Sequence, residues 1–173
     1  MAVTEDLTGA VRASLIDLAE HCAALPVAAY TEAVPELAGA SIGQHVRHCL
    51  DHFSTFADGL AEGRFDYDAR ARSADLERDN ACAARVARQL ADRLQSSLVD
   101  ADLARPVMVR TASSREGDVP WQRSSVGREL QFLVSHTVHH AAMVAASCRA
   151  RGLQVADDHG VAPSTLRYRA SLR

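Results

Sequence analysis

Ser41-Ile42-Gly43-Gln44-His45-Val46-Arg47-His48-Cys49-Leu50-Asp51-His52-Phe53 is the stretch on which the fold turns. Its first four residues have the S-x-x-Q form of a capping box, in which Ser41 and Gln44 satisfy each other's free amides, so a helix starts there. Val46, Leu50, Phe53, Ala57 and Leu60 then recur on one side of that helix, which can stop at Gly63, where a left-handed cap is tolerated. An apolar stripe on one side only must be covered by other elements.

Those elements are found on both sides. Upstream, Leu7, Val11, Leu15, Leu18 and Cys22 recur at three- and four-residue steps and predict a helix from near Thr4 to before Pro26. Glu5 and Asp6 suit its positive N-terminal end. A connector carrying Pro26 and Pro35 leads to the capping box. Downstream, Cys82, Val86, Leu90, Leu94 and Leu98 predict a third helix from about Asp75 to Asp100, its other face a solvated charge face. From Ala101 to Arg123 the period changes: Val107 and Val109 alternate around Met108, and Ser113-Ser114, Gly117 and Pro120 mark turns, a long loop or small hairpin. The last long helix opens near Ser124 or Ser125, carries Leu130, Leu133, His136, His140, Val144 and Ser147, and can be capped at Gly152. The tail from Leu153 to Arg173, with Gly160 and Pro163, reads as irregular. Four helices of roughly 20 residues, each apolar along one stripe, bury those stripes by packing together. The expectation is an all-α four-helix bundle forming one domain over residues 1–173.

Composition narrows the function classes. The 173 residues are 47% hydrophobic and 24% charged, enough for an ordinary domain that buries roughly 70% of its unfolded surface. A formal charge of −3 supplies no positive field for nucleic acid. Every basic residue is arginine, and the missing lysine and many alanines read as a compositional habit of the genome. Cys22, Cys49, Cys82 and Cys148 form no C-x-x-C pair, which fits a reduced, cytoplasmic setting and neither a zinc ribbon nor a redox pair. Glu5 and Asp6 stand where a secretion signal would need positive charge, and no run approaches the length of a membrane span.

Six of the eight histidines fall into two clusters, His45, His48 and His52 on the second predicted helix and His136, His139 and His140 on the last. At about 100° per residue, His136 and His140 are about 40° apart, within the apolar stripe and pointing into the core. Two imidazoles four residues apart, with Cβ atoms about 6 Å from each other, can reach one divalent cation at about 2.0 to 2.1 Å. The remaining ligands must come from a facing helix. Among His45, His48 and His52, periodicity alone does not choose. Asp51 can orient an imidazole or a bound water, and Gln44 is similarly placed one turn earlier. Thr137 follows His136, so the H-E-x-x-H arrangement of metalloproteases is missing.

The quoted stretch, with His48 followed three residues later by Asp51, resembles the helix-two motif of the DinB/YfiT-like superfamily. Ser135-His136-Thr137-Val138-His139-His140-Ala141 resembles that family's second motif, H-x-x-H-H, whose first and last histidines are ligands. The spacing of the helices and the tail Gly160-Val161-Ala162-Pro163-Ser164-Thr165 extend the resemblance over most of the chain. It implies an often dimeric bundle in which His48, His136 and His140 hold zinc, nickel or iron, with further coordination positions open. It also implies a small-molecule substrate and a low-molecular-weight thiol as cosubstrate, in transfer or hydrolysis chemistry. A non-catalytic metal-binding or dimeric stress-response bundle is the alternative. Ala141 and Ala142 replace a glycine found in many relatives, so only the metal site carries over. His45, His52 and His139 read as surface or supporting residues, and Cys49 as a packing residue. Trp121 and Arg123 read as a packing anchor or a closing loop, and Arg167, Arg169 and Arg173 as a solvated basic tail.

Overall fold

The computed structural model describes residues 2–99, 101–112 and 117–172, with side chains from Leu7 onward. Asp100, Ser113-Ser114, Arg173 and the side chains of Glu5 and Asp6 lie outside the described residues. The first long helix, α1 (Ala2–Ala24), buries Val11, Leu15, Leu18 and Cys22, the stripe read from the sequence. In the connector a short helix, α2 (Val27–Thr31), and a 3-10 turn (Pro35–Leu37) follow Pro26 and precede the capping box. The second long helix, α3 (Ile42–Gly59), begins as expected. The Ser41 hydroxyl accepts the Gln44 N–H at 3.1 Å and the Gln44 side chain accepts the Ser41 N–H at 3.1 Å.

The third predicted helix is broken in two. A short α4 (Ala74–Arg78) stops at Asp79, whose backbone is extended at φ −123° and ψ 99°, and α5 (Asn80–Ser97) starts anew. The cause is local: the Asp79 carboxylate accepts the Cys82 N–H at 2.9 Å and caps α5. Asn80, buried at the restart, donates to the carbonyls of Cys22 and Leu25 at 3.0 and 2.7 Å, satisfying the open end of α1. The break leaves α4 free to lie across the start of α3. A Cβ on Gly43 would sit 2.2 Å from the Glu77 carbonyl oxygen, so only glycine allows that approach. Tyr30 locks it by donating to the Leu76 carbonyl at 2.6 Å.

Four alanines of α5 pack in the core. Ala83, Ala84, Ala87 and Ala91 are buried along α5, and side chains this small let a neighbouring helix approach closely; α5 packs most extensively on α1. The helix-bearing layer is completed by α6 (Val126–Ala150), capped by Ser125, whose hydroxyl accepts the Arg128 N–H. Helices α1 and α3 each pack against both α5 and α6, which gives the bundle its four-helix core.

The expected small hairpin exists as β2 (Pro106–Arg110) and antiparallel β3 (Gln122–Ser125), with Val107 opposite Ser124. A third strand not foreseen, β1 (Arg64–Asp66), pairs parallel to β2, with Phe65 opposite Val109. This sheet ties the end of α3 to the start of α6. The tail also corrects the expectation of an irregular end. Pro163 opens a nine-residue helix, α7 (Pro163–Ser171), because proline at the first helical position has the right φ and no N–H to lose. No helix among the described residues is long and apolar enough to cross a membrane.

Candidate metal centre

Helices α3 and α6 face each other, and three of their histidines converge. His48, His136 and His140 bring ligand nitrogens within 4.8 Å of one another. Their ring centroids lie 4.6 to 4.8 Å apart, and Nε2 of His48 is 2.9 Å from Nε2 of His136. His136 and His140 do not point into the core as the stripe suggested. Thr137, Ala141 and Val144 occupy the buried line of α6, and the two histidines stand half-buried beside it. That placement lets them reach across to α3 at the rim of a cleft of about 400 Å³ lined by Gln44, His45, Arg47, His48 and His140.

The donor set fits a divalent ion. Two nitrogens holding one tetrahedral ion at about 2.0 to 2.1 Å stand about 3.4 Å apart, and the spread in the cluster brackets that value. Protonation agrees. Burial, and after it the neighbouring imidazoles, lower His136 and His140 from 6.5 to about 4 and His48 to about 2, with Arg70 adding to the shift at His48 and His136. Neutral imidazoles keep the lone pair that a metal needs, so nothing has to be deprotonated before binding near neutral pH.

The rings are held from outside. His136 stacks on Phe132 at 5.3 Å, and His52 stacks on Tyr67 at 5.2 Å. Tyr67, immediately after β1, donates to the buried Glu129 at 3.0 Å, and Glu129 also accepts from Ser124 Oγ at 2.5 Å. The small sheet therefore fixes one wall of the site. His52 Nδ1 donates to the His48 carbonyl at 2.8 Å, and burial lowers its pKa to about 4. His45 Nδ1 lies 2.9 Å from His140 Nδ1, while His139 is exposed and touches His140 edge-on.

Asp51 is not turned toward an imidazole. Three residues past His48 it points around the helix to Arg47, 3.9 Å away, and lines a separate groove with Ser54, Thr55, Asp66 and Cys82. Burial raises its pKa, with Arg47 and Arg70 opposing. The group on His48 is Arg70, whose Nη1 hydrogen-bonds to His48 Nδ1. Arg70 sits in the turn after β1, where no periodicity marks it, and neither it nor Tyr67 could be placed at the site from sequence. Cys49 is buried in the core as expected. Trp121 is held between Arg64 and Arg110, whose guanidinium carbons lie 4.3 and 4.9 Å from its ring centre, so it anchors the sheet and does not close the site. Arg123 is exposed on β3, and Arg167 and Arg169 are exposed on α7.

Residues 10–144 match the family model of the DinB superfamily. A curated relative, FK506-binding protein 5 of Rhizopus delemar, is 32% identical over 105 residues, covering 60% of this chain. The chain spans about a quarter, 27%, of that relative's length. No solved structure matches the chain.

Proposed function

The chain belongs to the DinB superfamily, and on that premise we propose that it is a metal-dependent enzyme in which His48, His136 and His140 hold one divalent ion. The observation that carries this reading is the convergence of three neutral imidazoles from two facing helices. A zinc, nickel or iron ion bound there would supply Lewis acidity, lowering the pKa of a thiol or water brought to it. The chain's own residues do the rest. His136 and His52 are fixed by aromatic stacking, His48 presents its Nε2 toward His136, and the adjoining cleft is of a size that takes a small molecule. Thiol transfer is the reaction class we favour over hydrolysis, because it is what the family resemblance implies. We place the enzyme in the cytoplasm as a homodimer, a reading supported by the free cysteines and by the exposed Leu166, Tyr168 and Leu172 around α7.

Elemental analysis of the purified protein tests the reading. The wild type should carry close to one equivalent of divalent metal, and the His136→Ala, His140→Ala double variant should carry almost none while keeping its helical circular dichroism. Equal metal content in the two proteins would reject these ligands.

A further inference from the structure

The cleft beside the three histidines has a wall built of hydrogen-bond donors. Its lining residues are Ala40, Gln44, His45, Arg47, His48 and His140, and no acid stands among them. Two of its carbonyl oxygens are already engaged. The Ala40 carbonyl accepts the Val34 N–H at 3.1 Å, and the Gln44 side-chain oxygen accepts the Ser41 N–H at 3.1 Å. The second contact also fixes the Gln44 amide, because a backbone N–H can only donate: the oxygen faces Ser41, and the NH2 group is the end left for a ligand. Gln44 is exposed, so a ligand in the cleft can reach it.

Arg47 is the only charged side chain on this lining, three residues further along α3 and therefore next to Gln44 on the helix surface. Its acidic neighbours hold it from outside the cleft. Nη1 pairs with Glu77 on α4, and Asp51 lies 3.9 Å from Nε, beyond hydrogen-bond reach; neither acid lines the cleft. One carboxylate engages at most two of the five guanidinium N–H groups. Arg47 thus keeps donors to spare, on a side chain whose position Glu77 has already set.

We propose that this cleft binds a carboxylate group of the substrate through the Arg47 guanidinium and the Gln44 NH2 group. The inference deepens the proposed function by naming the substrate class, a small carboxylic acid in its ionised form, and it rests on that reading for the role of the metal. A carboxylate is acceptor-only, so it meets this wall with no donor left facing a donor, and a guanidinium takes it in a two-pronged pair. An amine brings donors and finds no acceptor on Gln44 or Arg47. Charge selects the same group. One guanidinium that already faces Glu77 suits a single negative charge better than a phosphate dianion, and a divalent ion at His48 and His140 would attract an anion to the same cleft. Gln44 serves twice, its oxygen closing the capping box and its nitrogen recognising the ligand.

The test uses the isotope-labelled full chain with propionate as probe and propionamide as its neutral match. NMR titrations follow the Gln44 side-chain NH2 and Arg47 Nε–H signals, first without metal and then with zinc. Propionate should shift both signals saturably in both forms, and propionamide should bind at least about 10-fold more weakly, the worth of one charge-assisted hydrogen bond. Arg47→Met should weaken propionate by about 10- to 100-fold. That variant also loses the Glu77 contact, so Gln44→Glu is the second. Glutamate keeps the capping box, so circular dichroism and melting temperature should stay at wild-type values, while a carboxylate in place of the NH2 donors should again weaken propionate at least about 10-fold. Equal binding of the two probes, or propionate binding unchanged in both variants, overturns the proposal. Zinc uptake with no propionate response overturns it and leaves the three-histidine reading standing. A propionate response in a protein that takes up no zinc overturns the three-histidine reading and leaves the carboxylate site.

Discussion

Replacing Arg70 with methionine should tighten metal binding, although Arg70 contacts a proposed ligand directly. The guanidinium donates from Nη1 to His48 Nδ1, so that nitrogen must hold a lone pair and the His48 proton must sit on Nε2, from which it donates to His136 Nε2 at 2.9 Å. A metal ligated through His48 Nε2 needs the reverse tautomer, with the proton on Nδ1 where Arg70 now binds. Metal entry therefore breaks a hydrogen bond with a charged donor, worth about 1.5 to 3 kcal/mol, and brings a second cation beside the guanidinium. Removing the donor should raise zinc affinity by about 10- to 150-fold, since about 1.4 kcal/mol is tenfold. Methionine preserves the aliphatic bulk of the stem and cannot donate. The assay is zinc titration against a chromophoric competitor at fixed pH and ionic strength, with the melting temperature of the zinc-free variant as control. Affinity that stays the same or falls, in a variant that melts normally, would refute the tautomer argument.

Other outcomes follow from the same geometry. Stability should fall on acidification: unfolded histidines take up protons below about 6.5, whereas the buried His21 and His52 resist until about 4. Their contribution is complete above pH 6.5 and is lost as the pH falls toward 4, so these two residues should account for roughly 2 to 4 kcal/mol of the stability lost between pH 7 and pH 5 in denaturant melts, after allowance for solvent screening, with His48, His136 and His140 adding to the loss in the same direction; equal midpoints and slopes would contradict this. Gly160→Ala adds a Cβ against the α6 backbone at a positive φ. It should cost about 1 to 3 kcal/mol, lowering the melting temperature by roughly 2 to 12 °C, and an unchanged melt would show that the turn does not depend on this contact. Asp51→Asn should leave metal stoichiometry unchanged, because Asp51 faces Arg47 and not an imidazole; loss of the metal in elemental analysis would count against that placement.

The long helices were legible because their evidence is local and periodic. The stripes of α1, α3 and α6, the Ser41–Gln44 box and the Ser125 cap need only nearest neighbours along the chain. The break at Asp79 escaped notice because the apolar period continues through it, and what ends the helix is one carboxylate choosing the Cys82 amide. Strand β1 is three residues long and pairs with a segment more than forty positions away, which no local pattern records. At the site, the four-residue step placed His136 and His140 on one face, but their half-burial depends on how α3 lies across α6. Periodicity put His45 and His52 nearest the apolar stripe and His48 further round without choosing among them, and the motif resemblance singled out His48, which the fold brings beside His136 and His140. Arg70 and Tyr67 come from turns whose positions only the tertiary packing decides.

Three imidazole nitrogens are expected to share one ion, and X-ray absorption spectroscopy of the zinc-loaded protein reads that directly. All three are expected at about 2.0 to 2.1 Å, with oxygen ligands completing the shell, and the His136→Ala, His140→Ala variant, which retains almost no zinc, should lose that signal. A sulfur shell at about 2.3 Å, or a zinc ion with no imidazole signature in the wild type, would contradict it.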